Sequence, residues 1–368
     1  MSAPFVLAAG GTGGHLFPAE ALAGELLERG RPVHLVTDAR TEAFAGNRDG
    51  IAIHHIRAGR FDRGPAHAPQ ALAELAAGVL QARRLLRRLA PAAVIGFGGY
   101  PSVPPMLATS SLRLPFLIHE QNAVLGRANR LLAPRARCIA TGFPETRGLR
   151  PSDRARMVYT GNPVRPAILA AGAEYRTPRP GGPIELLVLG GSQGAHILGA
   201  VVPAALALLP AALREALRVS QQARPEDLAA VTRAYADSGI AAETASFFAD
   251  VPARLSRAQL VIARAGASTV AELAVIGRPA LLVPYPHAAD DHQTANAQSF
   301  AAAGGGWVVN QTDLHADRLA ARLENLLGDA ATLSEAAQRA AGFGRRDAAR
   351  QLALLALALE PAPQERAA

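Results

Sequence analysis

The chain contains no lysine: all 38 of its basic side chains are arginine. Codon bias in a GC-rich genome, which the abundance of alanine also suggests, accounts for the preference, but the consequence is chemical. Schiff-base catalysis, pyridoxal phosphate attachment and the P-loop lysine are all removed from consideration. Cysteine is nearly absent as well. The single Cys138 excludes an intrachain disulfide and a thiolate zinc cluster, and it fits a reducing compartment. Aromatics make up 5% of the chain and interleave with no basic block, so no base-stacking platform and no nucleic-acid partner are expected. No apolar run reaches the roughly 18 residues that a bilayer span needs. The opening MSAPFVLAAGG has no charged n-region and is too short for a signal peptide. The expected protein is soluble or peripheral.

What is present is an ordinary globular composition, 49% hydrophobic over 368 residues with a net charge of +8. That length favours two domains, and the charge favours an anionic partner. Phe5–Ala9 reads as a strand, Gly10–Gly14 as a turn, and an apolar-periodic helix runs to Arg29, where Gly30 stops it. Strands are expected again at Pro32–Thr37, Ala92–Gly96, Pro115–His119 and Arg137–Thr141. The pattern then restarts: Ile184–Leu189 runs into Gly190-Gly191-Ser192-Gln193-Gly194, at an offset of 180 residues from Gly10-Gly11-Thr12-Gly13-Gly14. Further strands are expected at Leu217–Gln221, Leu260–Ala263 and Pro279–Val283, with a linker around Ala171–Pro183. Ser334–Leu359 reads as helix and the tail Glu360–Ala368 as disordered. Strands alternating with helices imply two parallel α/β units opened by similar loops.

Such a loop places backbone N–H groups at the positive end of a helix, and its glycines let a phosphate approach closely. Neither loop continues as a Walker A motif or as Gly-x-Gly-x-x-Gly, although Asp38 at a strand end could mimic the ribose-binding acid of a dinucleotide fold. A third loop, Arg264–Glu272, also joins a strand to a helix. Thr269-x-x-Glu272 matches a capping box, in which Glu272 bonds back to the cap; the alternative is that Glu272 accepts ribose hydroxyls while Ser268 and Thr269 meet a diphosphate. Downstream, Pro284–Ala297 carries His and Asp residues without a further partner at ligand spacing, so a polar site loop is favoured over a metal site.

Taken together, GGTGGH (Gly10–His15), GFGGYPS (Gly96–Ser102), HEQN (His119–Asn122), GNPVR (Gly161–Arg165), GGSQGA (Gly190–Ala195), RAGAST with Glu272, and DHQTANA (Asp291–Ala297) resemble the MurG family of peptidoglycan glycosyltransferases. The match runs in the family's order from Gly10 to about Gly342. It implies an α/β GT-B fold of two Rossmann-like, doubly wound domains facing a cleft. The domains would be residues 1–162, facing acceptor and membrane, and 163–340, binding UDP-GlcNAc, with 341–359 packing back on the first and 360–368 disordered. The implied reaction moves N-acetylglucosamine from UDP-GlcNAc, with inversion, to the C4 hydroxyl of the MurNAc of lipid I, giving lipid II and UDP.

The resemblance carries binding roles to Thr12, Gly13, Gly14, Asn122, Arg165, Ser192, Gln193, Phe248, Ala267, Ser268, Thr269, Val270, Ala271, Glu272 and Gln293. Phe248 would meet uracil through its backbone, and Glu272 becomes the ribose carboxylate. The attacking hydroxyl needs a base within about 3 Å; His15 is the candidate and Glu120 the alternative. No cofactor is required, and a divalent cation is allowed but unsupported. Partners would be UDP-GlcNAc and lipid I at an anionic membrane, with other cell-wall synthesis or division proteins, on the cytoplasmic face of the bacterial inner membrane.

The stretch Ala71–Ala90 suits that surface, with Leu72, Leu75, Val79 and Leu86 on one side and Arg83, Arg84, Arg87 and Arg88 nearby. Two departures from the family pattern, Pro104-Pro105 and the acidic segment before Gln293, bear on local acceptor contacts. Of the rival readings, a UDP-GlcNAc epimerase is opposed by HEQN and GNPVR. A catalytically silent binding protein is opposed by His15, Glu120, Arg165 and Glu272 together, and a nicotinamide oxidoreductase lacks its fingerprint.

Overall fold

The computed structural model describes residues 2–10, 13–39, 50–59, 68–179, 181–191 and 194–360. They form two compact units: Met1–Arg165 with Arg346–Ala368, and Pro166–Arg345.

The first unit is built on strands β1 (Phe5–Ala8), β2 (Val33–Thr37), β3 (Ile51–His55), β4 (Ala93–Gly96), β5 (Phe116–Glu120), β6 (Cys138–Thr141) and β7 (Met157–Tyr159). Its helices are α1 (Gly13–Glu28), α2 (Ala68–Leu89), α3 (Val103–Ser111), α4 (Arg127–Leu132) and α5 (Pro151–Arg154). The second unit holds α6 (Pro166–Ala170), β8 (Ile184–Leu189), α7 (His196–Ala207), α8 (Ala211–Ala216), β9 (Leu217–Gln222), α9 (Leu228–Asp237), β10 (Ala241–Ala245) and α10 (Val251–Arg257). It continues through β11 (Leu260–Ala263), α11 (Ala267–Ile276), β12 (Ala280–Leu282), α12 (His292–Ala302), β13 (Gly306–Val308), α13 (Ala316–Gly328) and α14 (Ala330–Phe343). Helix α15 (Ala348–Leu357) returns to the first unit.

Both sheets are parallel and wound alike. The first has the order β3-β2-β1-β4-β5-β6-β7 and the second β10-β9-β8-β11-β12-β13. In each, the chain starts at a central strand, runs to one edge, and then returns to the other side of the starting strand. The switch points lie between β1 and β4, and between β8 and β11, and ligands bind open α/β sheets just beyond such points. The 180-residue repeat of the glycine loops is therefore a repeat of topology.

Each sheet is covered on two faces, as parallel sheets require. Phe5 and Leu7 on β1 join α1 residues Leu16, Leu22 and Leu26 in one core, while Val6 and Ala8 face Leu85, Leu86 and Met106 on the other side. Helix α15 adds Leu352, Ala353 and Ala356 to the α1 side. The single helix expected over Ser334–Leu359 is in fact two. Gly344 ends α14 where a Cβ would fall 2.6 Å from the Ala274 carbonyl oxygen. The preceding segment packs on α11 and the following one on α1.

Two glycines separate space from conformation. A Cβ on Gly306 would lie 2.0 Å from the Ala280 carbonyl oxygen in the β12–β13 pair, whereas one on Gly24, inside α1, meets nothing within 4 Å. Gly306→Ala is expected to destabilise by at least about 1–3 kcal/mol. Gly24→Ala is expected to stabilise by about 0.5–1 kcal/mol. Denaturant unfolding of both variants checks the pair.

Candidate active site

The motifs read from the sequence end up at the carboxyl ends of strands, most of them interior, with GNPVR following the edge strand β7. In the first unit the others are the loops after β1, β4 and β5. Gly98 and Gly99 both take positive φ, 79° and 74°. A Cβ on Gly99 would stand 2.9 Å from the Gly10 carbonyl oxygen and 3.1 Å from His15 Cδ2. Only glycine allows the two loops to close around the imidazole.

His15 lies in the first turn of α1, half-buried. Its Nδ1 is 2.9 Å from the Phe97 carbonyl oxygen and 2.9 Å from Gln121 Oε1. A carbonyl oxygen can only accept, so the proton sits on Nδ1. Nε2 makes no hydrogen bond among the described residues. The next link follows by the same logic. Gln121 Nε2 donates to the His119 carbonyl oxygen at 3.1 Å and to His119 Nδ1 at 3.0 Å. His119 therefore carries its proton on Nε2, which donates to the Gly161 carbonyl oxygen at 3.2 Å. His119 is fully buried. Burial pushes its pKa from the usual 6.5 down to about 4, the bond to Gly161 opposes this, and His15 adds to the lowering.

Glu120, the alternative base, is 2% exposed and already occupied. Its Oε1 accepts from Asn122 N at 3.0 Å and Asn122 Nδ2 at 3.2 Å; its Oε2 accepts from Gly126 N at 2.8 Å and Asn129 Nδ2 at 2.9 Å. Four donors on two oxygens make this carboxylate the anchor of the loop into α4. Asn122 takes part in that anchor. Arg165 sits with its guanidinium 5.0 Å from the Phe17 ring centre, against the first turns of α1. Gly13 is buried under Phe17, where a Cβ would meet the ring at 2.9 Å, and Gly14 is half-buried. Asp38 does not present a ribose-binding acid, because Tyr100 donates its hydroxyl to Asp38 at 2.5 Å.

In the second unit, Gly190 admits no side chain: its Cβ would lie 2.6 Å from Ala195 N. Gly191 and Gly194 take φ of 81° and 71°, and Gly194 N donates back to the Gly191 carbonyl at 3.0 Å. Arg224 packs under Gly194 and holds Asp227 at 2.6 Å, and Asp227 meets His196 at 2.9 Å. Thr12, Ser192 and Gln193 lie outside the described residues.

Helix α11 begins at Ala267 with Gly266 as its cap residue, and no side chain caps it. The capping-box reading is thereby overturned. Thr269 is the third residue of the helix and Glu272 the sixth, so Glu272 cannot bond back to the cap. Ser268, Thr269 and Glu272 instead share one face, by their spacing of three and four. The amides of Ala267, Ser268 and Thr269 have no intrahelical partner at this end. Val270 offers neither group to a ligand: its amide donates to Gly266 at 3.0 Å and its side chain is fully buried. Ala271 is half-buried and Glu272 is 8% exposed.

Gln293 Oε1 accepts from Ala265 N at 3.2 Å and Tyr285 N at 3.0 Å, tying the loop after β11 to the loop after β12. Arg264 reinforces the tie through the Val283 and Pro284 carbonyls and Gln311, and burial holds its pKa below the usual value. The Phe248 ring is buried against the Arg254 guanidinium at 4.0 Å, so the side chain has no free face and its backbone is what remains for a ligand. Asp290 and Asp291 adopt φ of 52° each in the turn before α12, and Asp291 accepts from Thr294 at 2.6 Å. Among the described residues no group of three His, Cys, Asp or Glu side chains is arranged to hold a metal. Reading the sequence passed over Gln121, His119 and Asn129 as individual residues, although two of them stand in the quoted HEQN.

Two doubly wound units with glycine loops at both switch points define a glycosyltransferase of the GT-B class. The chain belongs to glycosyltransferase family 28: the family's N-terminal domain matches residues 5–141 and its C-terminal domain residues 185–352. Within it the chain is a member of the MurG family. It is 58% identical, over 95% of its length and 93% of the relative's, to the UDP-N-acetylglucosamine--N-acetylmuramyl-(pentapeptide) pyrophosphoryl-undecaprenol N-acetylglucosamine transferase of Rhodospirillum centenum. The protein of the same name in Paramagnetospirillum magneticum is 56% identical over 96% of both chains. The crystal structure of Acinetobacter baumannii MurG superposes with a TM-score of 0.80 at 31% identity, covering 97% of this chain and all of that one.

Buried neutral His119 makes stability depend on pH. The unfolded chain binds this proton below about pH 6.5 and the folded one only below about pH 4, so the contribution is whole above 6.5 and declines as pH falls toward 4. The loss from this group is about 3 kcal/mol in all. His119→Gln should flatten the decline by about that amount when unfolding free energies are compared from pH 7 to pH 4.

Proposed function

We propose that this protein transfers N-acetylglucosamine from UDP-GlcNAc to the MurNAc-pentapeptide of an undecaprenyl pyrophosphoryl acceptor. The observation that carries the chemistry is the His15 imidazole, held through Nδ1 by Phe97 and Gln121 and with no hydrogen bond at Nε2 among the described residues. An acceptor C4 hydroxyl at Nε2 gives up its proton as its oxygen attacks the anomeric carbon. The bond to UDP breaks in the same displacement, and the configuration inverts. Phe97 and Gln121 both face Nδ1–H with neutral oxygens, so the imidazolium that forms is hydrogen-bonded at once. Glu120 acts through the loop it anchors, not as the base.

The donor belongs to the second unit. The first-turn amides of α11, with Ser268 and Thr269, oppose the charge that develops on the departing diphosphate, and Ser192 and Gln193 serve the same group. Glu272, on the same face of α11, accepts from the ribose, and Gln293 keeps the two flanking loops together. The backbone at Phe248 meets the base. Thr12, Gly13 and Gly14 with Asn122 and Arg165 serve the acceptor side.

The acceptor's polyprenyl chain calls for a membrane surface, and we place the enzyme peripherally on the cytoplasmic face of the inner membrane. No described helix is long and apolar enough to cross a membrane. Helix α2 supports a surface contact through Leu72, Arg84, Arg87 and Arg88 as expected, with Leu80 added and Leu86 withdrawn into the core. Its buried stripe is Ala71, Gly78, Ala82, Leu85 and Leu86, while Leu72 and Leu80 are 60% and 57% exposed and share the outward side with Arg84, Arg87 and Arg88. Leu86 and Val79 belong to the core side because α3 covers that part of α2, and Pro104 lies 3.2 Å from where a Gly78 Cβ would stand.

In a transfer assay with labelled UDP-GlcNAc and a lipid I analogue, His15→Ala should lower kcat by at least about 100-fold while UDP affinity changes less than about twofold. Near-normal turnover would remove His15 as the base. Glu272→Gln should raise KM for UDP-GlcNAc; an unchanged KM would remove it from the ribose site. Leu72→Ser with Leu80→Ser should weaken flotation with anionic vesicles at least about tenfold, and wild-type flotation would move the membrane contact elsewhere.

A further inference from the structure

Between His15 and His119 stands a side chain that exchanges no proton or bond with the substrates. Gln121 accepts from His15 through Oε1 at 2.9 Å and donates through Nε2 to both His119 Nδ1 at 3.0 Å and the His119 carbonyl oxygen at 3.1 Å. It is 2% exposed. Its own carbonyl accepts from Asn162 Nδ2 at 2.7 Å, which fixes the backbone from which the side chain reaches. The amide has one orientation only. The His119 carbonyl cannot donate, so the end facing it must be NH₂, and the end facing His15 must be oxygen.

We propose that Gln121 is the positioning residue of the transfer reaction, its amide locked by His119 so that the His15 ring is held at two points with Nε2 aimed outward. This rests on the reading of His15 as the base. Phe97 by itself decides which nitrogen is protonated, but a single hydrogen bond leaves a ring free to swing about it. A second acceptor on the same N–H, from a different strand, defines the ring plane. His119 in turn defines the amide, and its own proton is committed to Gly161.

An amide suits this place because one neutral group must accept from one imidazole and donate to the next. A carboxylate would face the His119 carbonyl and the Nδ1 lone pair with a second oxygen, and a hydrocarbon would do neither. Other ionisable groups on the packed segments are engaged elsewhere: Glu120 with Gly126 and Asn129, Tyr100 with Asp38, and Arg165 over Phe17. A charge introduced at position 121 would therefore act on His15 and His119 directly. A neutral orienter also leaves the base without the fixed negative partner that Ser-His-Asp hydrolases employ.

The test uses the full-length enzyme, UDP-GlcNAc and a lipid I analogue, with kcat and KM measured across pH for Gln121→Met and Gln121→Glu. Gln121→Met should lower kcat by about 10- to 100-fold, as a misaligned catalytic group does, with KM for UDP-GlcNAc within about twofold and the acidic limb of the kcat profile moved to lower pH. Gln121→Glu should move that limb upward by roughly one pH unit or more, because a carboxylate beside an imidazole favours its charged form. Opposite shifts of the limb are the result that a merely structural glutamine would not give. Wild-type limbs in both variants overturn the proposal, as does a loss confined to KM. If Gln121→Met fails to fold, the near-isosteric Gln121→Glu decides alone by the direction of its shift. His15→Ala separates the two readings: if it abolishes turnover while the Gln121 limbs stay put, only the positioning role fails, and if it turns over normally, the base itself is wrong.

Discussion

One proton organises the first unit's site. Carried on Nδ1 of His15, it is shared between the Phe97 carbonyl and the Gln121 amide, and these belong to the loops after β4 and β5. His15 itself stands on the helix after β1, and His119 passes the connection to Gly161, just beyond β7. Four chain segments far apart in sequence thus meet through three polar side chains, each with its donor and acceptor ends dictated by its neighbours. Had any carbonyl in the series been a donor instead, the order would fail along its whole length. Buried polar networks are stabilising only when every member is satisfied, and here each of the three side chains finds its partners in the next.

The second unit solves a different problem with the same topology. Its switch point carries a helix start without a capping side chain, so the first-turn amides of α11 have no side-chain cap. A cap of Ser or Asp would have satisfied those amides internally. Gly266 leaves them available, and Gln293 and Arg264 hold the flanking loops from outside the helix. Family membership extends over nearly the whole chain, at above 50% identity to two transferases of one name.

How much of this was legible in the sequence follows a physical boundary. Each strand read from the sequence lies in the interior of its sheet, where burial on both faces favours a near-continuous apolar run, β9 with its alternating Leu217, Val219 and Gln221 excepted. The four that were passed over, β3, β7, β10 and β13, are the four sheet edges. Their residues are largely half-buried or exposed, as in Ala241–Ala245, and carry no such run. The glycine loops were legible because close backbone approach leaves no other residue type. Glu272 was ambiguous because a capping box and a ligand carboxylate share one spacing, and the position of the helix start removes the capping box. Gln121 was quoted within a motif yet had no role, since a side chain whose partners lie 106 and 2 residues away cannot be read from local pattern. Leu72 and Leu86 were placed on one side by helical spacing, but α3 covers only one of them.

The account depends most directly on the ionisation form of His15. Nitrogen-15 NMR of the enzyme labelled at its histidines, assigned with His15→Gln and His119→Gln, distinguishes a protonated ring nitrogen from one with a lone pair. The structure requires the neutral His15 ring to carry its proton on Nδ1, and His119 the opposite, its proton on Nε2 and unchanged down to pH 5. A His15 protonated at Nε2, or an interconverting mixture of its two neutral forms, would contradict the arrangement on which the proposed proton transfer stands.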